Sequence, residues 1–139
     1  MARLTKNYPI KARDYLRAGE VSMQVQGLMK SIGFAQEIIR RVSICAYEAE
    51  MNVVMHGGDG QMTVEINTDE IILDVKDSGP GIEDISLALQ EGYSTASEEA
   101  REMGFGAGMG LPNIQKNSDS LDIVSEKGKG TEVKIGFRA

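Results

Sequence analysis

Glycine in this chain gathers in short clusters between helix-like and strand-like stretches. The clusters are Gly57-Gly58-Asp59-Gly60, Gly79-Pro80-Gly81, Gly104-Phe105-Gly106-Ala107-Gly108-Met109-Gly110 and Gly128-Lys129-Gly130. The total is 16 in 139 residues, above the roughly 7% of average chains. One cluster alone is ordinarily a tight turn, because glycine enters backbone regions closed to other residues. Several in succession between regular elements also let the backbone approach a ligand. None is long enough to be a low-complexity linker.

Between the clusters the pattern alternates between two periods. Residues 3–11 leave room for a short first strand. Over residues 15–32, Leu16, Val21, Val25, Leu28, Met29 and Ile32 recur at helical spacing, with Gly33 as the stop. A second helix is expected over residues 35–55. Its core stripe is Ile38, Val42, Cys45, Ala49 and Val53, widened by Ile39 and Ala46. Residues 62–67 and 71–76 alternate as two strands of a hairpin. Residues 82–105 hold a short helix near 85–89 and then a polar stretch too long for a tight connection. Residues 110–117 form a helix with Pro112 in its first turn. Residues 120–125 and 131–137 alternate as two more strands. The expected fold is α/β (α+β): one domain over 1–139, a two-layer sandwich of a mixed, mostly antiparallel sheet with about three helices on one face.

Composition removes several functions. A net charge of −6 argues against nucleic acid and anionic membranes as general partners. No apolar run approaches the ~20 residues of a membrane span, and the first nine residues do not read as a secretory signal. A lone Cys45 makes neither an intrachain disulfide nor a cysteine zinc site, which points to a reducing, cytoplasmic setting.

The glycine clusters fail the common phosphate-cradle patterns. Gly128-Lys129 is followed by Gly130 rather than Ser or Thr, and neither register of the 104–110 run gives G-x-G-x-x-G. What remains is alternating glycine directly before a helix, where backbone N–H groups can converge on an anion.

The second helix carries two polar residues beside its apolar stripe. At about 100° per residue from Ile38, Asn52 falls near −40° and Glu48 near −80°, one turn or ~6 Å apart. Glu50 falls near +120°, so spacing pairs Glu48 with Asn52 and leaves Glu50 out. The pair reads either as a hydrogen-bonded brace or as a carboxylate base beside an amide that holds a hard cation. His56, four residues after Asn52 at the helix end, reads as a structural group or a ligand contact.

Together these segments resemble the GHKL ATPase superfamily, which includes type II topoisomerase ATPase domains, histidine-kinase catalytic domains and the anti-sigma-factor serine kinases. The Glu-x-x-x-Asn helix of that family matches Glu48-Ala-Glu-Met-Asn52. The Asp-x-Gly-x-Gly motif matches Asp77-Ser-Gly79-Pro-Gly81. The glycine-rich lid hinge matches residues 104–110, and the Gly-Thr of the last strand matches Gly130-Thr131. Four motifs in order across residues 35–137 are far more specific than any one. The Glu91-Gly-Tyr-Ser-Thr95 stretch is similar to the stress-response switch kinases among the anti-sigma-factor serine/threonine kinases. About 34 residues precede the second helix, too few for a phosphoacceptor hairpin, and His56 is the only histidine. Autophosphorylation on histidine is therefore disfavoured.

The resemblance implies a Bergerat ATP-binding fold with ATP and Mg²⁺ as cofactors. It implies Glu48 as catalytic general base, Asn52 as the Mg²⁺ ligand, and Asp77 with Gly79, Gly81 and Thr131 at the adenine. Gly104, Phe105, Gly106, Ala107, Gly108, Met109 and Gly110 would hold the phosphates, with His56 and Arg101 as further phosphate contacts. The implied activity is a protein serine/threonine kinase regulating a sigma-factor, partner-switching pathway by phosphorylating a small antagonist protein of the anti-anti-sigma type. A sigma factor is a further implied partner, and homodimerisation is a state that family members often adopt. The alternative is an ATP-dependent switch that sequesters or activates a partner without phosphoryl transfer.

Overall fold

The computed structural model describes residues 3–56, 58–79, 110–126 and 128–139. The elements are β1 (Leu4–Ile10), α1 (Glu20–Ile32), α2 (Gln36–His56), β2 (Gly60–Ile66), β3 (Glu70–Asp77), α3 (Gly110–Asn117), β4 (Ser120–Glu126) and β5 (Gly130–Arg138). The strands form one sheet in the order β1-β2-β3-β5-β4. Every described ladder is antiparallel.

Alternation on the strands makes the sheet two-faced. Met62, Val64 and Ile66 on β2, Ile71, Leu73 and Val75 on β3, and Val133, Ile135 and Phe137 on β5 are buried on one side. They meet Val21, Val25 and Met29 of α1, Val42, Cys45, Ala49 and Val53 of α2, and Leu111 and Ile114 of α3 in one core cluster. Side chains of this kind contribute about 1.5–3 kcal/mol each relative to exposure. The three described helices therefore lie on one face, as the periods predict. On the other face the strands carry Glu65, Asp74, Lys76, Glu132 and Lys134, none of them buried.

The first helix is shorter than its apolar spacing suggests. Arg13 takes φ 66° and Gly19 takes φ 99°, so residues 11–19 turn instead of winding. The backbone N–H of Arg13 donates to the carbonyl of Val54 at 2.9 Å, which ties this segment to α2. Leu16, counted in the stripe, is 98% exposed as a result. Tyr15 and Ala18 instead cover Met51 and Met55, which form a small second cluster beside the main core.

Glycine preceding α1 brings no capping side chain, and Glu50 supplies the cap from α2. Its carboxylate accepts from the backbone N–H of Gly19 at 3.0 Å, Val21 at 3.3 Å and Ser22 at 2.9 Å. A buried carboxylate is tolerated there because helix N-terminal N–H groups are otherwise unsatisfied and the local dipole favours an anion. Among the described residues no helix is long and apolar enough to cross a membrane.

Candidate functional site

The site begins as a seam between α2 and α3. Four residues of α2, spaced by four, three and four, meet α3 in reverse order along its length. Arg41 Nε donates to the carbonyl of Asn117 at 2.9 Å, and its guanidinium pairs with Asp119 at 3.0 Å. The Cys45 thiol points to the carbonyl of Ile114 at 3.7 Å. Asn113 Nδ2 donates to Glu48 Oε2 at 3.2 Å. Gly110 lies against Asn52, and a Cβ at that position would sit 3.2 Å from Asn52 Oδ1. The structure thus brings Glu48 and Asn52 to one half-buried line facing the first turn of α3.

Burial pushes the Cys45 thiol up to about 12, with Glu48 adding to the rise and Arg41 opposing it. It stays a neutral thiol in the seam. Burial also lowers the His56 imidazole, and the charge of Arg13 lowers it further, so His56 is neutral near pH 7. A neutral ring can hydrogen-bond a phosphate but brings no positive charge.

The second part of the site lies at the end of β3. From His56 the chain reaches Gly58, which packs so closely on the turn after β3 that a Cβ there would lie 2.8 Å from Ser78 Oγ. Asp77 ends β3 and pairs with Gly60 on β2 and with Thr131 on β5. A Cβ at Gly60 would collide with the carbonyl of Lys76, and one at Gly130 with the carbonyl of Asp77. Gly130 also takes φ 102°, a region disfavoured for other residues. Gly60 is thus more than a turn residue: close packing, absent from the local sequence pattern, requires it. Asp77 Oδ1 accepts from the N–H of Gly79 at 2.8 Å. Burial raises its carboxyl, while the N–H groups of Gly79 and Gly58 pull it back toward the anion. The Thr131 hydroxyl is 2.8 Å from that of Ser125.

Of the expected site residues, Gly81, Arg101, Gly104, Phe105, Gly106, Ala107, Gly108 and Met109 lie outside the described residues. Glu48, Asn52, His56, Asp77, Gly79, Gly110 and Thr131 are described, and they come from α2, the β3 end, α3 and β5. Sequence reasoning missed Asn113 and Arg41. The available signal was the spacing of Gly110, Asn113 and Asn117, which places all three on one face of α3.

The donor set bears on a cation. Among the described residues no group of three or more His, Cys, Asp and Glu could form a protein cage. A single amide oxygen beside a carboxylate fits Mg²⁺, which keeps water and substrate phosphates as most of its ligands.

A family model described as histidine kinase-, DNA gyrase B- and HSP90-like ATPase matches residues 36–139. The serine/threonine-protein kinase RsbT of Bacillus subtilis is 28% identical over 113 residues, covering 78% of this chain and 79% of that protein. The anti-sigma F factor of Clostridium kluyveri is 32% identical over 136 residues, covering 81% of this chain and 90% of that protein. That of a Thermoanaerobacter species is 36% identical over 104 residues, covering 71% and 69%. A solved structure of the mycobacterial sensor histidine kinase MprB matches with TM-score 0.53 at 16% identity, covering 96% of this chain and 97% of that one. This last likeness is one of fold.

Proposed function

The chain belongs to the histidine kinase-, DNA gyrase B- and HSP90-like ATPase family, and from that premise we propose that it is a serine/threonine kinase. Its proposed substrate is a small antagonist protein in a sigma-factor partner-switching pathway. The observation that carries this reading is the placement of Glu48 and Asn52 on successive turns of α2, both facing the start of α3. The named activities of the relatives, a serine/threonine kinase and anti-sigma factors, support the same conclusion.

Each residue then has a physical task. The Asp77 carboxylate accepts from the exocyclic amine of adenine, at the ring position where guanine carries a carbonyl oxygen, and Thr131 lies opposite it across the β3–β5 ladder. Gly79 keeps the turn beside the base without a side chain. Gly110 opens α3, whose first N–H groups suit a phosphate. Asn52 would hold Mg²⁺, which when bound offsets phosphate charge. Glu48 accepts the proton of the attacking serine or threonine hydroxyl. The new bond joins that oxygen to the γ-phosphorus, the bond from the γ-phosphorus to the bridging oxygen breaks, and ADP leaves. The proposed partners are the antagonist and a sigma factor or other regulator, with a homodimer as one working state. The proposed setting is the cytoplasm, where Cys45 stays reduced.

The test is phosphoryl transfer from labelled ATP to an antagonist-domain protein, with calorimetry for Mg-ATP. Glu48→Ala is expected to retain Mg-ATP affinity and to lose transfer by about 10²–10⁴-fold. Transfer at the parent rate in Glu48→Ala removes the base assignment. A parent protein that binds ATP and its partner without phosphorylating it establishes the non-catalytic switch instead.

A further inference from the structure

The contact between α3 and the general base points to a residue that the family motifs leave out. We propose that Asn113 is a positioning residue for Glu48: its side-chain amide holds Oε2, so that Oε1 is presented to the incoming hydroxyl. The proposal rests on the kinase reading above.

Geometry supports it in two ways. First, Asn113 Nδ2 lies 3.2 Å from Glu48 Oε2, and both side chains are half-buried. A glutamate has three side-chain torsions to fix, and a donor from a neighbouring helix selects one orientation of the carboxylate. Second, Asn113 is not needed to hold α3 in place. Arg41 already grips Asn117 and Asp119, Cys45 meets the carbonyl of Ile114, and Leu111 and Ile114 are buried in the core. The Asn113 amide reaches past these anchors to one atom of the base. Gly110, three residues earlier on the same helix, abuts Asn52. One short helix therefore lies against both Glu48 and Asn52.

The experiment compares the parent with Asn113→Ala and with Asn113→Asp, which has nearly the same shape but presents a carboxylate to Glu48. Transfer rate at saturating Mg-ATP, Mg-ATP affinity and melting temperature are measured together. Both variants are expected to lose transfer by a factor on the order of 10–100, with affinity within about twofold of the parent and the melting point unmoved. Asn113→Asp is expected to be no better than Asn113→Ala. In the Glu48→Ala background Asn113→Ala is expected to have no further effect on the residual rate, because the two residues act as a unit. Parent-level transfer in both single variants overturns the proposal. So does a loss of affinity or melting temperature that accounts for the loss of rate. Glu48→Ala is run beside them. If it too keeps full transfer, the kinase-base reading fails; if it alone loses transfer, only the role of Asn113 fails.

Discussion

Removing the Glu50 carboxylate is expected to weaken the fold at an unspecified position inside the Glu-x-x-x-Asn segment. Glu50 is 2% exposed and accepts three backbone N–H groups at the start of α1. In Glu50→Ala the N–H groups of Val21 and Ser22 lose their acceptor at buried residues, and leaving a buried donor unmade costs about 1–3 kcal/mol. The lost interaction with the helix dipole adds about 0.3–1 kcal/mol. Water entering the vacated space recovers part of this, which leaves about 3 kcal/mol. At about 2.1 cal/mol/K per residue, the unfolding entropy of a chain this long is about 0.3 kcal/mol/K. The melting temperature should therefore fall by about 10 °C. Glu50→Gln keeps one acceptor but turns an NH₂ group toward the remaining donors, so it should recover less than half of the loss. Urea unfolding and thermal melting followed by circular dichroism measure both variants. Hydrogen exchange at the Val21 and Ser22 amides locates the damage. A loss below about 1 kcal/mol for Glu50→Ala, or parent-like stability for Glu50→Gln, would refute the capping argument.

Two further outcomes are expected. Asp77→Asn should weaken ATP binding by at least about tenfold, because a mixed donor–acceptor group replaces the carboxylate proposed to accept from adenine; calorimetry giving the parent affinity would sink the base-recognition assignment. On the open sheet face, burial and the neighbouring Glu132 push the Asp74 carboxyl up to about 6. The folded state then holds a proton that the unfolded chain releases near pH 4, so Asp74 contributes stability below about pH 4 that is lost as pH rises to about 6. Asp74→Asn keeps a donor for Glu132 and lacks this titration. Its stability relative to the parent should therefore rise between pH 4 and pH 7, and a gap independent of pH would contradict the shift.

Much of the architecture was legible because it rests on local periods. Val42, Cys45, Ala49 and Val53 are buried as their spacing requires, and the alternating stretches at Met62 and Ile71 became β2 and β3. The stop at residue 56 and the start of α3 at Gly110 follow from glycine. Leu16 was misleading because the turn at Arg13 and Gly19 interrupts a spacing that sequence alone reads as continuous. Glu50 was set aside because its helical angle separates it from Asn52. That separation holds, but its partners are N–H groups some thirty residues earlier, and no local pattern carries such a contact. Asn113 escaped for the same reason, since its significance depends on how α3 crosses α2. The pairing of Asp77 with Thr131 depends on strand order, which two hairpins in sequence do not determine.

That strand order also governs when the proposed adenine site can form. β5 lies between β3 and β4, yet it follows every other described element in sequence. While the chain is being made, the edge of β3 waits open, and Asp77 has no Thr131 beside it. Pairing across so long a stretch of chain is slow and comes late in folding. A nucleotide held by both residues, as proposed, would stabilise only chains in which β5 has been inserted. Binding of ATP at the proposed site would then mark chains in which β5 has been inserted, and a partner that engages only the loaded form would meet only those chains.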